Sequence, residues 1–301
     1  MKHISKEDRE TYIKTILIVG SVLLIFLVWL WWSRIYTSKS NVFNAMLSNN
    51  LSTRGVTKTT QQDNSNGKLT QTSQAQFGAQ YLVETKTDIT QPSDGGDIKV
   101  STQSFSTPNE DYVRYASIDM PQVKNQPKKD FSSLVSVWGK TLKAEGGGGA
   151  FTESIYGVIP FGNLPSEQRN ELLNIIHSQG VYKTDFSKTE IKKEGGRTVY
   201  IYDVSINLKS YATFLKAYDK MLGLKQMDSV NPADYEKADP IKVKLTVDKL
   251  SRTLSKIDYQ DENSDETIAG YGIAKYVKLP ENAISRQELE GKLQKLLQAI
   301  Q

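Results

Sequence analysis

Residues Thr15–Trp32 read TILIVGSVLLIFLVWLWW, eighteen residues without a charge. This run constrains the chain more than any other feature. At ~1.5 Å per residue a helix of that length measures about 27 Å, close to the ~30 Å hydrocarbon core of a bilayer. Twelve of the eighteen are Ile, Leu, Val or Phe. On a translocon scale they favour insertion by about 4–7 kcal/mol as an upper bound. The run is apolar on every side, whereas a helix at the surface of a soluble domain keeps one polar face.

A cleaved leader would need a shorter apolar core followed by small residues. Here the run ends in Trp29, Trp31 and Trp32, then Ser33-Arg34-Ile35-Tyr36, with no small-x-small pair. Indoles prefer the headgroup boundary. The expectation is an uncleaved signal-anchor with Trp29, Trp31, Trp32 and Arg34 as its interfacial collar. Four bases precede the run (Lys2, Lys6, Arg9, Lys14) and two follow closely (Arg34, Lys39). That excess orients the N-terminus to the cytoplasm and the bulk of the chain outside. The expected divisions are a cytoplasmic tail at 1–14, the transmembrane helix at 15–32, a polar juxtamembrane linker at 33–40 and an extracytoplasmic domain at 41–301. The expected location is the cell membrane, in single-pass form.

Charge argues against one class of partner. Residues 1–39 hold six of the 38 bases and three of the 34 acids, so the large domain is nearly neutral. A nucleic-acid binder carries a basic stripe on its folded domain. The pairs Lys128-Lys129 and Lys192-Lys193 are short and read as solvated surface. Cysteine is absent, which removes disulfides, thiolate metal sites, a cysteine nucleophile and a lipidated N-terminal cysteine together.

Beyond residue 40 the pattern alternates between two periods. Val42, Phe43, Met46 and Leu47 suit a short helix. Period-two segments follow at 69–86, Ile98–Phe105 and Asp111–Ile118, separated by Pro92–Gly96 and Thr107–Glu110, which predicts an antiparallel meander. Residues 119–130 read as a loop. Phe131–Lys143, with Leu134, Val135, Trp138 and Leu142, fits a helix, and Gly146–Gly149 a flexible run. A helix opens at Pro165-Ser166 and ends before Gly180. Val181–Lys193 and Thr198–Asn207 form a hairpin about Glu194–Arg197, with Tyr200, Tyr202, Val204 and Ile206 on one face. Tyr211, Phe214, Leu215, Tyr218 and Leu222 make an amphipathic helix stopped by Gly223, and Met227–Asp239 a loop. Ile241, Val243, Leu245 and Val247 alternate with polar partners, and strands follow near 253–260 and 267–279. A final helix carries a capping box, Ser285 to Glu288, and an apolar face of Leu289, Leu293, Leu296, Leu297 and Ile300. The sum is an α+β domain: a curved, half-barrel-like antiparallel sheet with helices packed on its concave face.

Chemistry is sparse. His3 lies in the tail and His177 near a helix end, where a surface or cap role suits it. No H-E-x-x-H, G-x-S-x-G or G-x-x-x-x-G-K-[ST] occurs. The stretch Asp261–Glu266 matches three positions of a calcium loop but has Glu266 where glycine is needed and Gly272 where the closing glutamate belongs. It is expected to be a solvated hairpin tip. No catalytic residue, metal ligand or cofactor is expected, and the chain is read as a non-enzyme. What remains is an apolar concavity, the usual form of a ligand site, for which Phe77, Tyr81, Val83, Tyr115, Trp138, Tyr200 and Tyr202 are the candidate lining.

The order helix, long meander, helices, late strands and final helix, with IKVKLTVDKLSRTLSKIDY (Ile241–Tyr259) as a paired late hairpin, resembles the lipoprotein-carrier half-barrel superfamily, the LolA-like and LppX/LprG-like proteins. The resemblance spans roughly 41–300 and implies acyl-chain binding in the concavity; it transfers no individual residue. Those relatives are soluble carriers or lipoproteins, whereas this chain has an anchor and no cysteine. The expected function is therefore a tethered domain that binds an apolar or lipid-like ligand or an envelope protein. The alternative is a structural component of an envelope assembly with a filled core.

Overall fold

A computed structural model describes residues 6–93, 95–122, 130–260 and 264–298. Of the stretch Asp261–Glu266, residues 261–263 lie outside the described residues, as do the Lys128-Lys129 pair, His3 and Ile300; Ser264–Glu266 are not a solvated tip but the start of a strand, with Glu266 half-buried.

Helix α1 (Lys6–Trp31) runs into a π-helical turn, Trp32–Tyr36. Within them, Ile16–Tyr36 is long and apolar enough to cross a membrane, and none of its most apolar eighteen-residue window is buried. Helix α2 (Lys39–Asn50) begins almost at once, with the Ser38 hydroxyl accepting from the Asn41 amide. Residues 33–40 are therefore not an extended linker. The stem is bonded into the domain at successive carbonyls. Tyr200 donates to Thr37 O and Tyr202 to Lys39 O, each at 2.8 Å, and the Arg252 guanidinium donates to Tyr36 O at 3.0 Å.

Strands β1 (Gly55–Asn64), β2 (Gly67–Phe77), β3 (Tyr81–Gln91), β4 (Ile98–Ser106) and β5 (Glu110–Asp119) form the expected meander. It gains β1, whose polar run GVTKTTQQDN carries little hydrophobic signal. After β6 (Trp138–Leu142) come α3 (Gly149–Ile155), α4 (Ser166–Ser178), β7 (Tyr182–Thr184), β8 (Glu190–Glu194), β9 (Arg197–Ile206) and α5 (Leu208–Leu222). The chain closes with β10 (Ile241–Asp248), β11 (Leu254–Tyr259), β12 (Ser264–Ala269), β13 (Ala283–Ser285) and α6 (Arg286–Gln298). The strands join one open, curved, mixed sheet in the order β13-β6-β5-β4-β3-β2-β1-β12-β11-β10-β9-β7, with β8 also on β9. Two meanders, β1–β6 and β9–β12, thus meet at the β1·β12 pair. The sheet is antiparallel except where β13 runs parallel to β6. This is the α+β, helix-lined sheet that the sequence implies.

Four local expectations are corrected. Phe131–Lys143 is not a helix: turns lead to strand β6. Gly139 disfavours helix at its centre, and the sheet edge uses it, because a Cβ there would stand 2.9 Å from Leu289 Cδ2 on α6. Val181–Lys193 is two short strands split by a 3-10 turn at Phe186–Lys188, which Asp185 caps by accepting from Ser187 N at 3.0 Å. The strand expected over 267–279 stops at Ala269, since Gly270 and Gly272 turn the chain at φ 65° and 76°. Gly146–Gly149 is ordered: Gly147 N donates to Leu142 O at 2.8 Å, and Gly148 N to Asp111 Oδ2 at 2.9 Å.

Helices α2, α4 and α5 fill the inner face of the second meander. Val42, Phe43, Met46 and Leu47 of α2 meet Tyr202, Val204, Leu245 and Val247 of the sheet. Leu172 and Ile176 of α4 and Phe214 and Tyr218 of α5 close the other side. Complete burial of one such side chain stabilises by ~1.5–3 kcal/mol, so this half supplies the core. A smaller cluster, Phe131, Leu134 and Leu289, seats α6 against β5 and β6. Its cap is the expected one: Ser285 Oγ accepts from Glu288 N at 3.1 Å.

Candidate functional site

The first meander shares the inner face but is only partly covered. Its cross-strand register sorts that face into rows. At one end, Val56, Ala75 and Val83 lie side by side and are buried. Two residues along, the row is Lys58, Ser73, Thr85 and Ser104. Next come Thr60, Gln71, Thr87 and Thr102, with Glu266 of β12 opposite Thr60. The outermost row is Leu69, Ile89, Val100 and Ile118, all half-buried. At ~3.3 Å per residue, about 13 Å separates the Lys58 row from the apolar one.

Helix α3 crosses the buried end, holding Phe151 and Ile155 in the core. Between it and the strands is a cavity of about 220 Å³ lined by Lys58, Ser73, Thr85, Ser104, Glu153 and Glu266 among others. A second, of about 190 Å³, includes Leu69 and Ile89 near the strand ends. Both fall below the ~300–1,000 Å³ of a site that engulfs a drug-sized ligand, so the surface is a trough rather than a sealed chamber. A larger depression, about 580 Å³, lies near β7, β9 and β10 and is dominated by Lys183, Asp185, Lys188, Asp203 and Lys242.

Lys58 is the trough's chemical centre. It is 9% exposed. Its ammonium donates to Ser154 O at 3.0 Å and lies 5.2 Å from the Phe161 ring centroid. Burial lowers its pKa from the ordinary lysine value, and the negative charge of Glu266 raises it in partial compensation. Glu266 Oε2 is buried without a hydrogen-bond partner, while Ser73 and Thr85 share a hydroxyl pair at 3.0 Å. A buried cation, a carboxylate oxygen lacking a donor and a band of hydroxyls suit a polar group that both donates and accepts.

Of the seven residues expected to line a concavity, Val83 and Tyr115 stand in the rows of this trough by register and the other five do not. Phe77, Val83, Tyr200 and Tyr202 are buried in the main core, with the two tyrosine hydroxyls spent on the stem carbonyls. Tyr81 is half-buried and meets Phe151 edge-on, ring centroids 6.5 Å apart. Tyr115 stands in register with Thr102 of the trough's third row and, like Ile118, packs against the cluster beneath α6. Trp138 projects to the opposite face, stacked on Phe105 at 5.1 Å with the Arg114 guanidinium 4.9 Å from its ring. Its reassignment from helix to strand explains the change of face, because side chains alternate across a sheet with period two. The trough residues that were missed had a signal: β1, β2 and β3 repeat Thr, Ser and Gln at every second position, an alternation without hydrophobic contrast. In the collar, Trp29, Trp31 and Trp32 are exposed, and Trp32 stacks on Tyr36 at 4.4 Å.

No known protein family matches the sequence, and no curated protein matches it either. Among solved structures, the chain is similar to the crystal structure of LprF from Mycobacterium bovis, at 10% identity and a TM-score of 0.34, over 81% of this chain and 97% of that one. No residue role is taken from it.

Proposed function

We propose that this chain is a bilayer-anchored, extracytoplasmic binding domain without catalytic activity, and that it holds a single-chain amphiphile in the trough of the first meander. The observation that carries this reading is the ordered change along one face, from Lys58 and its hydroxyl band to the row of Leu69, Ile89, Val100 and Ile118. A polar head fits the first and an aliphatic tail the second. The trough is too small for the sealed burial of a diacyl lipid, which gives the lipid-like ligand of the sequence reading a narrower form. N-terminus in, domain out, is the topology that the collar and flanking charges favour.

The test is binding of a fluorescent lysophospholipid to the full chain in detergent-free nanodiscs. Val100→Asp is expected to weaken binding at least about tenfold, because a carboxylate would replace an apolar contact. Phe105→Leu, on the opposite face, is expected to leave it unchanged. Equal binding by wild type and Val100→Asp would remove the trough as the site. An absence of binding by wild type would favour the second reading, an assembly component, which the filled core under α2, α4 and α5 supports.

A further inference from the structure

The β10–β11 turn is built more rigidly than a connecting loop requires. Asp248 Oδ1 accepts from Leu250 N at 2.9 Å and Ser251 N at 2.8 Å, and Asp248 N donates to Thr253 O at 3.0 Å. Arg252 is held at φ 55°, a left-handed conformation that costs a side-chain-bearing residue energy. This frame presents Leu250 to solvent with 60% of its surface exposed. Nothing in the domain's own packing explains an aliphatic tip on so fixed a turn.

Its position does explain it. The strained Arg252 places its guanidinium 3.3 Å from the Tyr36 ring centroid while donating to Tyr36 O. Tyr36 stacks on Trp32, the last tryptophan of the collar. Tyr36 lies four positions beyond Trp32 along the π-helical turn, at most about 6 Å of rise, and each headgroup layer is itself about 5–7 Å thick. The turn therefore stands at headgroup height whenever the collar does. Lys249 beside Leu250 reaches over the Tyr200 ring at 5.9 Å, next to the stem carbonyl that Tyr200 binds. Ile191, 59% exposed, is paired in register with Tyr200, and Ile35 on the stem is 52% exposed. Exposed aliphatics and bases thus ring the point where the stem enters the domain. Of the acids nearby, Asp248 is engaged in the turn and Glu190 with Lys192 at 3.0 Å, while Glu194, exposed at the end of β8, lines the same depression as Asp248 together with the Arg197 base.

The geometry points to a second membrane contact: the β10–β11 turn seats in the headgroup layer of the bilayer that α1 crosses, with Leu250 at the acyl boundary and Lys249 among the phosphates. An aliphatic tip flanked by bases is the composition of surfaces that lie in this layer. The domain would then stand on the membrane at a fixed angle, not swing on a tether. This inference rests on the spanning reading of α1.

The sequence has no cysteine, so single reporters can be placed cleanly. In the full chain, Ser251→Cys, Tyr276→Cys and Ile25→Cys, each carrying a polarity-sensitive dye, would be reconstituted in phosphatidylcholine vesicles containing phosphatidylglycerol and exposed to an impermeant aqueous quencher. Residue 251 is expected to be shielded about as well as 25, with 276, whose native tyrosine is 88% exposed, freely quenched. Adding Leu250→Asp is expected to abolish the shielding at 251. Lys249→Gln is expected to reduce the seated population about fivefold, one basic residue's worth. Residue 251 as quenchable as 276, with 25 shielded, overturns the docking and leaves the span intact. Residue 25 freely quenched overturns the span itself, and the docking with it.

Discussion

The two halves of the sheet use one architecture for opposite ends. In the second meander, every inward position of β9 from Tyr200 to Ile206 is buried, as are Val243, Leu245 and Val247 on β10. Three helices cover them. In the first, the inward side of β1 to β4 is buried only near α3 and then turns to lysine, hydroxyls and a half-exposed aliphatic row. Hydrophobic alternation makes a strand face sticky, so helices collect on it and the core is used up there. Polar alternation forms the same ladder of backbone bonds yet leaves the face open for something else. A half that supplies the core and a half that stays open are thereby separated along a single sheet.

The largest effect should come from the covered half. Phe214 of α5 is fully buried and stacks between Tyr211 and Tyr218. Phe214→Ala is expected to lower stability by about 3–5 kcal/mol, read as the denaturant midpoint of the full chain in micelles. A loss below about 1 kcal/mol would show that the helices do not carry the fold. Next is the seam between the halves. Gly55 opens β1 where a Cβ would overlap the Ile273 carbonyl, and Gly55 O accepts from Gly272 N at 2.9 Å. Gly55→Ala is expected to cost about 1–3 kcal/mol. Faster hydrogen exchange in β1 and β12, with β9 and β10 unchanged, would show that the halves separate there.

How far each half could be read from sequence follows from the same contrast. The second meander was legible because Tyr200, Tyr202, Val204 and Ile206, then Val243, Leu245 and Val247, announce their face residue by residue. The apolar run was legible because eighteen uncharged residues stand together, and they form one exposed helix. In the first meander β1 passed unnoticed, since Thr57 to Gln62 offers β-branched residues and no hydrophobic contrast. The trough stayed hidden for a related reason. Its identity lies in register, and only cross-strand pairing shows that Lys58, Ser73, Thr85 and Ser104 form one row. Trp138 was misplaced because Leu134, Val135, Trp138 and Leu142 stand at helical spacing, although only Trp138 and Leu142 enter the short strand β6, and Gly139 was the discriminating signal.

Lys58 offers a smaller and more specific test. Its folded pKa is lowered, mainly by burial. Between that value and the model-peptide value of 10.5 the unfolded chain holds the extra proton, so stability rises with pH through this window. Lys58→Met lacks that slope. Its stability should lie within about 1 kcal/mol of wild type at pH 7, and the difference should move in favour of wild type as pH climbs toward 10. The buried tyrosines, whose pKa values are raised, push the other way above pH 10, but they do so in both proteins and cancel. A pH-independent difference would mean that Lys58 is solvated, and the trough would lose its charged centre.

The smallest change in stability is the one that most sharpens the contrast. Ser104 of β4 lines the trough and is half-buried. Ser104→Val adds a methyl group that the adjoining cavity of about 220 Å³ can take up, and it suits a strand, so the expected shift in midpoint is within about 0.5 kcal/mol. If the open half exists for binding, the same variant should still weaken lysophospholipid capture several-fold, because a methyl replaces a hydroxyl that faces the polar head. Its mirror control is Val204→Ser on β9, in the covered half, which should cost about 2–3 kcal/mol and, in the molecules that remain folded, leave capture untouched. Binding lost in the first with stability kept, and the reverse in the second, is the signature of one sheet divided between two tasks. Parallel losses in both would mean that the open face is only an unfinished part of the core.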